Sequence, residues 1–132
     1  MEFITIASTG NAADFGDLTQ ARSQDGNNGG NSATRGLFAA GTTPSLVNTI
    51  DYITIASTGD ATDFGDLTQT SYYFNAATAN STRAVWIGNS SITNAAEFVT
   101  IATTGNASDF GDQNGTAQHS NGACSDSHGG IS

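Results

Sequence analysis

EFITIASTGNAADFGDLTQ, residues 2–20, decides the fold, because the chain repeats it twice. It returns as DYITIASTGDATDFGDLTQ from Asp51 and as EFVTIATTGNASDFGDQNG from Glu97, at spacings of 49 and 46 residues. A period of that size marks an architecture in which one supersecondary unit is copied and stacked on itself. Within the middle copy, Tyr52, Thr54 and Ala56 alternate with Ile53 and Ile55. That period of two, rich in β-branched residues, predicts a strand. It also predicts burial of Ile4, Ile6, Ile53, Ile55, Val99 and Ile101.

Working outward, Ser57-Thr58-Gly59-Asp60 reads as a turn in which glycine permits a positive φ. Asp63-Phe64-Gly65-Asp66-Leu67 then reads as a short strand with Phe64 facing inward, and Phe15 and Phe110 should occupy equivalent packed positions. Variable polar stretches follow at residues 22–33, 71–82 and 116–127. Each leads to an apolar strand: Arg35–Gly41, Arg83–Gly88, and a degraded His128–Ser132. No segment has the three-and-four apolar spacing of a helix. The expectation is all-β, four strands per repeat, in one domain over residues 1–132 with units of about 2–47, 48–94 and 95–132.

The composition bounds the function. Twelve acids face only Arg22, Arg35 and Arg83, for a net charge of −9. Such a surface repels phosphate backbones and anionic bilayers, so neither nucleic acid nor membrane is an expected partner. No apolar run approaches the roughly 20 residues of a membrane-spanning helix. Met1 leads straight into the first repeat, so no secretory signal is visible, and a virion or extracellular location would be reached by another route. Cys124 is alone and forms no intrachain disulfide.

The order of segments resembles the kelch repeat of β-propellers. Gly36–Gly41 resembles that family's glycine-ended strand, Tyr52 stands at the place of its tyrosine and Phe64 at the place of its tryptophan. Phe3, Phe15 and Arg22 hold the same order in the first unit. The likeness is loose: the glycine pair is reduced to Ala40-Gly41 and Gly88-Asn89, and Phe replaces Trp. The wording of the repeat is also similar to kelch-like repeats in virion structural proteins of marine phages. The resemblance implies a propeller, which needs roughly 4 to 8 blades to close. Three repeats fall short. The chain opens with the last two strands of a unit and closes with the first two of another, so a second chain could complete a six-bladed ring. A single-chain β-trefoil is the alternative.

Several groups could carry chemistry. Asp14/Asp17, Asp63/Asp66 and Asp109/Asp112, with Asn11, Asp60 and Asn106 before them, are oxygen donors of the kind that calcium takes. Asp beside Gly is more often a turn residue bonding backbone N–H groups, so no cofactor is expected. His119, Cys124, Asp126 and His128 crowd the C-terminus, but a single unrepeated cluster is weak evidence of a nucleophile or metal site. Asn80, Asn89, Asn106 and Asn114 begin glycosylation triplets of a kind this composition produces anyway. Tyr72, Tyr73 and Phe74 are the candidates for a binding surface, since sugar rings stack on aromatics. Trp86 reads as core. The combined expectation is a non-enzymatic structural or adhesive module, virion-associated, displaying variable loops and pairing with copies of itself through its terminal strands. Glycans or other virion proteins are further partners. A lectin-like carbohydrate-binding domain is the alternative.

Overall fold

A computed structural model describes residues 1–23, 30–72, 74–89 and 93–114, and it is all-β, with no helix among the described residues. Strands β1 (Glu2–Phe3) and β2 (Ala13–Asp14) form a two-stranded sheet. Strands β3 (Gly30–Asn31), β4 (Arg35–Ala39), β5 (Val47–Thr54) and β6 (Thr62–Ser71) form a four-stranded sheet in chain order. Strands β7 (Phe74–Ala79), β8 (Arg83–Asn89), β9 (Ala95–Thr100) and β10 (Ser108–Asp112) form a second one. All pairs are antiparallel, and each large sheet is a simple meander.

The repeat sets the register. Arg35 pairs with Thr54, Leu37 with Tyr52 and Ala39 with Ile50; one unit later Arg83 pairs with Thr100, Val85 with Phe98 and Ile87 with Ala96. Equal pairing at equal repeat positions means that the same side chains choose the same face, because a one-residue slip would invert every side chain. Each four-stranded sheet takes its first two strands from the chain before a repeat motif and its last two from the motif itself.

The D-F-G-D segment is a bulge. Between β9 and β10 the register steps from Asp109 to Gly111, and between β5 and β6 from Asp63 to Gly65, leaving Phe110 and Phe64 as the extra residues. Gly16, Gly65 and Gly111 hold φ of 141°, 144° and 130°, which L side chains rarely adopt. Asp14 and Asp109 each accept the N–H of that glycine on Oδ1, at 3.2 and 3.1 Å. The carboxylates therefore serve the turn, as expected for Asp next to Gly.

The core joins the two large sheets. Leu37, Ile50, Phe64, Leu67, Trp86, Val99 and Ile101 are buried in one cluster with Phe74. Trp86 lies against Gly30, where an added Cβ would fall 2.9 Å from its ring. Tyr52 meets Phe64 edge-on, and Phe98 meets Phe110 in the same way, at 5.9 Å between centroids.

Equal burial along the repeats fails. Ile101 is 1% exposed, but its counterparts Ile55 and Ile6 are 45% and 95% exposed, and Ile4 is exposed as well. The aromatic series is also unequal. Phe64 is 2% exposed, Phe15 is half-buried and Phe110 is 53% exposed. The cause is stacking: a strand in this fold is covered partly by its own sheet and partly by the neighbouring unit. Ile101 has a complete four-stranded sheet before it, Ile55 has only β1 and β2, and Ile6 has nothing before it among the described residues. Phe64 has a unit after it, and Phe110 has none after it among the described residues.

Candidate functional site: the joint between repeat units

The residues that recur in every motif meet at one place, the seam between consecutive units. At the first seam, Gly59 N–H donates to the Phe15 carbonyl at 2.7 Å and Ala61 N–H to that of Asp17 at 2.8 Å. The second seam repeats this: Gly105 N–H donates to Phe64 O and Ala107 N–H to Asp66 O, both at 2.7 Å. A side chain completes each clasp. Asp17 N–H donates to Asp60 Oδ1 at 2.9 Å, and Asp66 N–H to Asn106 Oδ1 at 3.0 Å. Asp60 and Asn106, read from sequence as donors to a cation, thus bind backbone of the preceding unit.

Backbone contact this close explains the glycines of D-F-G-D a second time. A Cβ on Gly16 would lie 2.3 Å from Gly59 O, and one on Gly65 would lie 2.5 Å from Gly105 O. Both obstacles are backbone atoms that cannot rotate aside. Gly65→Ala therefore adds a steric clash to an unfavourable φ, and should destabilise the fold by roughly 1–3 kcal/mol. Urea unfolding of the two proteins measures this. An unchanged midpoint would mean that the seam is not closed as described.

Charged groups lock the seam. Asp51 and Glu97, the first residues of the second and third motifs, are both buried. Asp51 accepts Thr19 N–H and Thr19 Oγ1–H at 3.3 and 2.6 Å, and Glu97 Oε2 accepts Thr68 N–H at 2.6 Å. Arg22 Nη1 lies 2.8 Å from Asp51 Oδ2 with both side chains fully buried, and its Nη2 donates to Phe38 O at 3.1 Å. Arg35 stacks on the Tyr52 ring and donates from Nη1 to Ile101 O at 2.8 Å, reaching across to the next unit. Arg83 stacks on Phe98 in the same way. All three cations of the chain are thus placed at repeat-equivalent or seam positions. Their rarity in the sequence was the signal that could have located the seam; the acid opening each motif was another.

The aromatics proposed as a binding surface separate. Phe74 begins β7 and is buried against Trp86, with centroids 6.3 Å apart, so it is a core residue and cannot stack on a ligand. The reason is position: it opens a strand at the centre of the stacked sheets. Tyr72 follows the end of β6 and is half-buried, and Tyr73 lies outside the described residues. The cluster of His119, Cys124, Asp126 and His128 lies outside them too. Among the described residues, no three His, Cys, Asp or Glu side chains converge as a metal site would require, and Asp14, Asp17, Asp63, Asp66, Asp109 and Asp112 are spread over the three repeat motifs. Asn80 Oδ1 accepts the N–H groups of Thr82 and Arg83, shaping the β7–β8 turn, and Asn106 belongs to the clasp.

One cleft of about 540 Å³ opens beside β1, lined mainly by Met1, Phe3, Phe15, Phe38, Ile53 and Ile55. Phe38 occupies the repeat position of Trp86. Where Trp86 is covered by Gly30 of the preceding sheet, Phe38 faces this cleft, because among the described residues the sheet before it consists of β1 and β2. The apolar lining is thus the face of a seam whose preceding sheet has two strands among the described residues. No protein-family model, curated protein or solved structure matches this chain.

Proposed function

We propose that the protein is a non-enzymatic structural repeat module whose principal partner is a further copy of its own repeat. The observation that carries this reading is the allocation of the recurring residues. Gly16/Gly65, Asp60/Asn106 and Asp51/Glu97 all serve contacts between units. A repeat devoted to stacking has few recurring side chains left for catalysis. The order β3-β4-β5-β6 followed by β7-β8-β9-β10, each a four-stranded meander, favours propeller blades over the hairpins of a trefoil. In this reading two chains close a ring of six four-stranded units, each lending terminal strands to the other. The module displays the connections between its strands outward, in a virion or another extracellular setting. The charge of −9 suits a particle surface that must not capture nucleic acid.

Light scattering over a wide concentration range tests the reading. The expected mass is twice the 13.4 kDa of the chain. A species of 13.4 kDa at every concentration would refute self-association and favour the trefoil.

A further inference from the structure

Each seam has a donor side and an acceptor side, and the described residues display one of each without its counterpart. On β10, the Phe110 and Asp112 carbonyls hold the positions that Phe64 and Asp66 use to accept Gly105 and Ala107 N–H, and have no such partner among the described residues. At the other end, Gly10 and Ala12 hold the positions of Gly59/Gly105 and Ala61/Ala107, and their N–H groups likewise have none. Asn11 stands where Asp60 and Asn106 clasp the preceding unit, and Glu2 stands where Asp51 and Glu97 are buried. Glu2, Ile6 and Asn11 are all exposed.

Resting on the self-association proposed above, the geometry points to a specific head-to-tail joint in which the segment 9–12 of a second copy closes onto β10. In that joint Gly10 and Ala12 N–H of the second copy donate to Phe110 O and Asp112 O, and Asp112 N–H donates to Asn11 Oδ1. The Glu2 carboxylate accepts the N–H of Asn114, at the repeat position of Thr19 and Thr68. The Arg83 guanidinium, already held over Phe98, donates to Ile6 O as Arg35 donates to Ile101 O. Ile6 passes from full exposure to the buried state of Ile101.

A second copy is the occupant because the same joint is already formed twice inside the chain with the same backbone atoms and nearly the same distances. The donor face and acceptor face are different surfaces, so the contact is heterologous and closes a ring only if its rotation permits; otherwise it grows a filament. Unpaired β edges with apolar side chains favour such pairing.

The test uses full-length chains in sedimentation velocity. Ile6→Glu places a charge where the joint buries an apolar side chain, on a residue that is 95% exposed in the single chain. It should weaken association by roughly a hundredfold or more, a loss of about 3 kcal/mol at 1.4 kcal/mol per decade, with an unchanged circular dichroism spectrum. Arg83→Glu should do the same from the opposite face. Mixed in equal amounts, the two variants still share one intact joint, so complexes containing one copy of each should form where neither variant associates alone. Wild-type association unaffected by both variants would overturn the register argued here and leave self-association standing. A wild-type monomer at all concentrations would overturn both. Loss of association by each variant without recovery on mixing would overturn the head-to-tail arrangement.

Discussion

Phe64→Ala is expected to lower the unfolding free energy by roughly 3–5 kcal/mol, while Phe110→Ala at the same repeat position costs less than about 1 kcal/mol. Both residues are the bulged aromatic of D-F-G-D, and both meet an aromatic of the adjacent strand edge-on. They differ in what lies beyond. Phe64 sits at a formed seam and belongs to the core cluster with Leu37, Leu67 and Trp86, so its removal leaves a cavity bounded by packed side chains. Phe110 sits at a seam with no following unit among the described residues, so water replaces it at little cost. Denaturant unfolding at dilute concentration, where assembly does not contribute, measures the pair. Because small domains are stable by only about 5–15 kcal/mol, the Phe64 variant should lie near the edge of folding. Equal losses at the two positions would contradict the stacking account of burial.

The contrast also shows what was readable in the sequence. Strand positions, the all-β class and the repeat register were readable, because alternation and recurrence are local properties that a chain carries in its order. The alternation through Tyr52 and Ile53 located β5, although the strand ends at Thr54 and leaves Ile55 in the turn, and the apolar run from Arg35 located β4. Burial was not readable. Ile6, Ile55 and Ile101 have nearly the same neighbours in sequence and differ almost completely in exposure, since the coverage of each comes from a unit distant in the chain. The same limit explains the two faces of β5: alternation predicts one buried side, yet adjacent Ile50 and Asp51 are both buried, one in the core and the other in the seam. Asp14 and Asp109 bond the glycine N–H of their own D-F-G-D, which is local turn chemistry, but the clasp made by Asp60 and Asn106 depends on partners 43 and 40 residues back, and no local pattern reports it. Phe74 was misleading for a related reason. It adjoins polar, variable residues in sequence, and only the placement of β7 beside Gly30 and Trp86 takes it inside.

Arg22→Ala should be the most damaging change of charge, with an expected loss of roughly 3–5 kcal/mol, because it leaves Asp51 buried without its cation. The pair is fully enclosed, so water cannot solvate the remaining carboxylate. Thr19 still donates two hydrogen bonds to Asp51, and these soften the loss without neutralising the charge. The arginine also ties residue 22 to Phe38 O in β4, so the substitution loosens the connection between the first seam and the sheet behind it. A second variant separates the charge from the packing. Asp51→Asn on the Arg22→Ala background removes the orphaned charge while leaving an oxygen for Thr19, and should recover a substantial part of the loss. The third unit supplies an internal comparison: Glu97 is equally buried at the position of Asp51, yet Ser71 stands where Arg22 does. The seam can therefore hold a carboxylate through hydrogen bonds such as that from Thr68, without an arginine at that position. If Arg22→Ala costs less than 1 kcal/mol, Asp51 is held as Glu97 is, and the ion pair adds little to the stability of the first seam. If the double variant recovers nothing, the loss arises from the packing of the arginine side chain against β4 rather than from the charge it leaves behind.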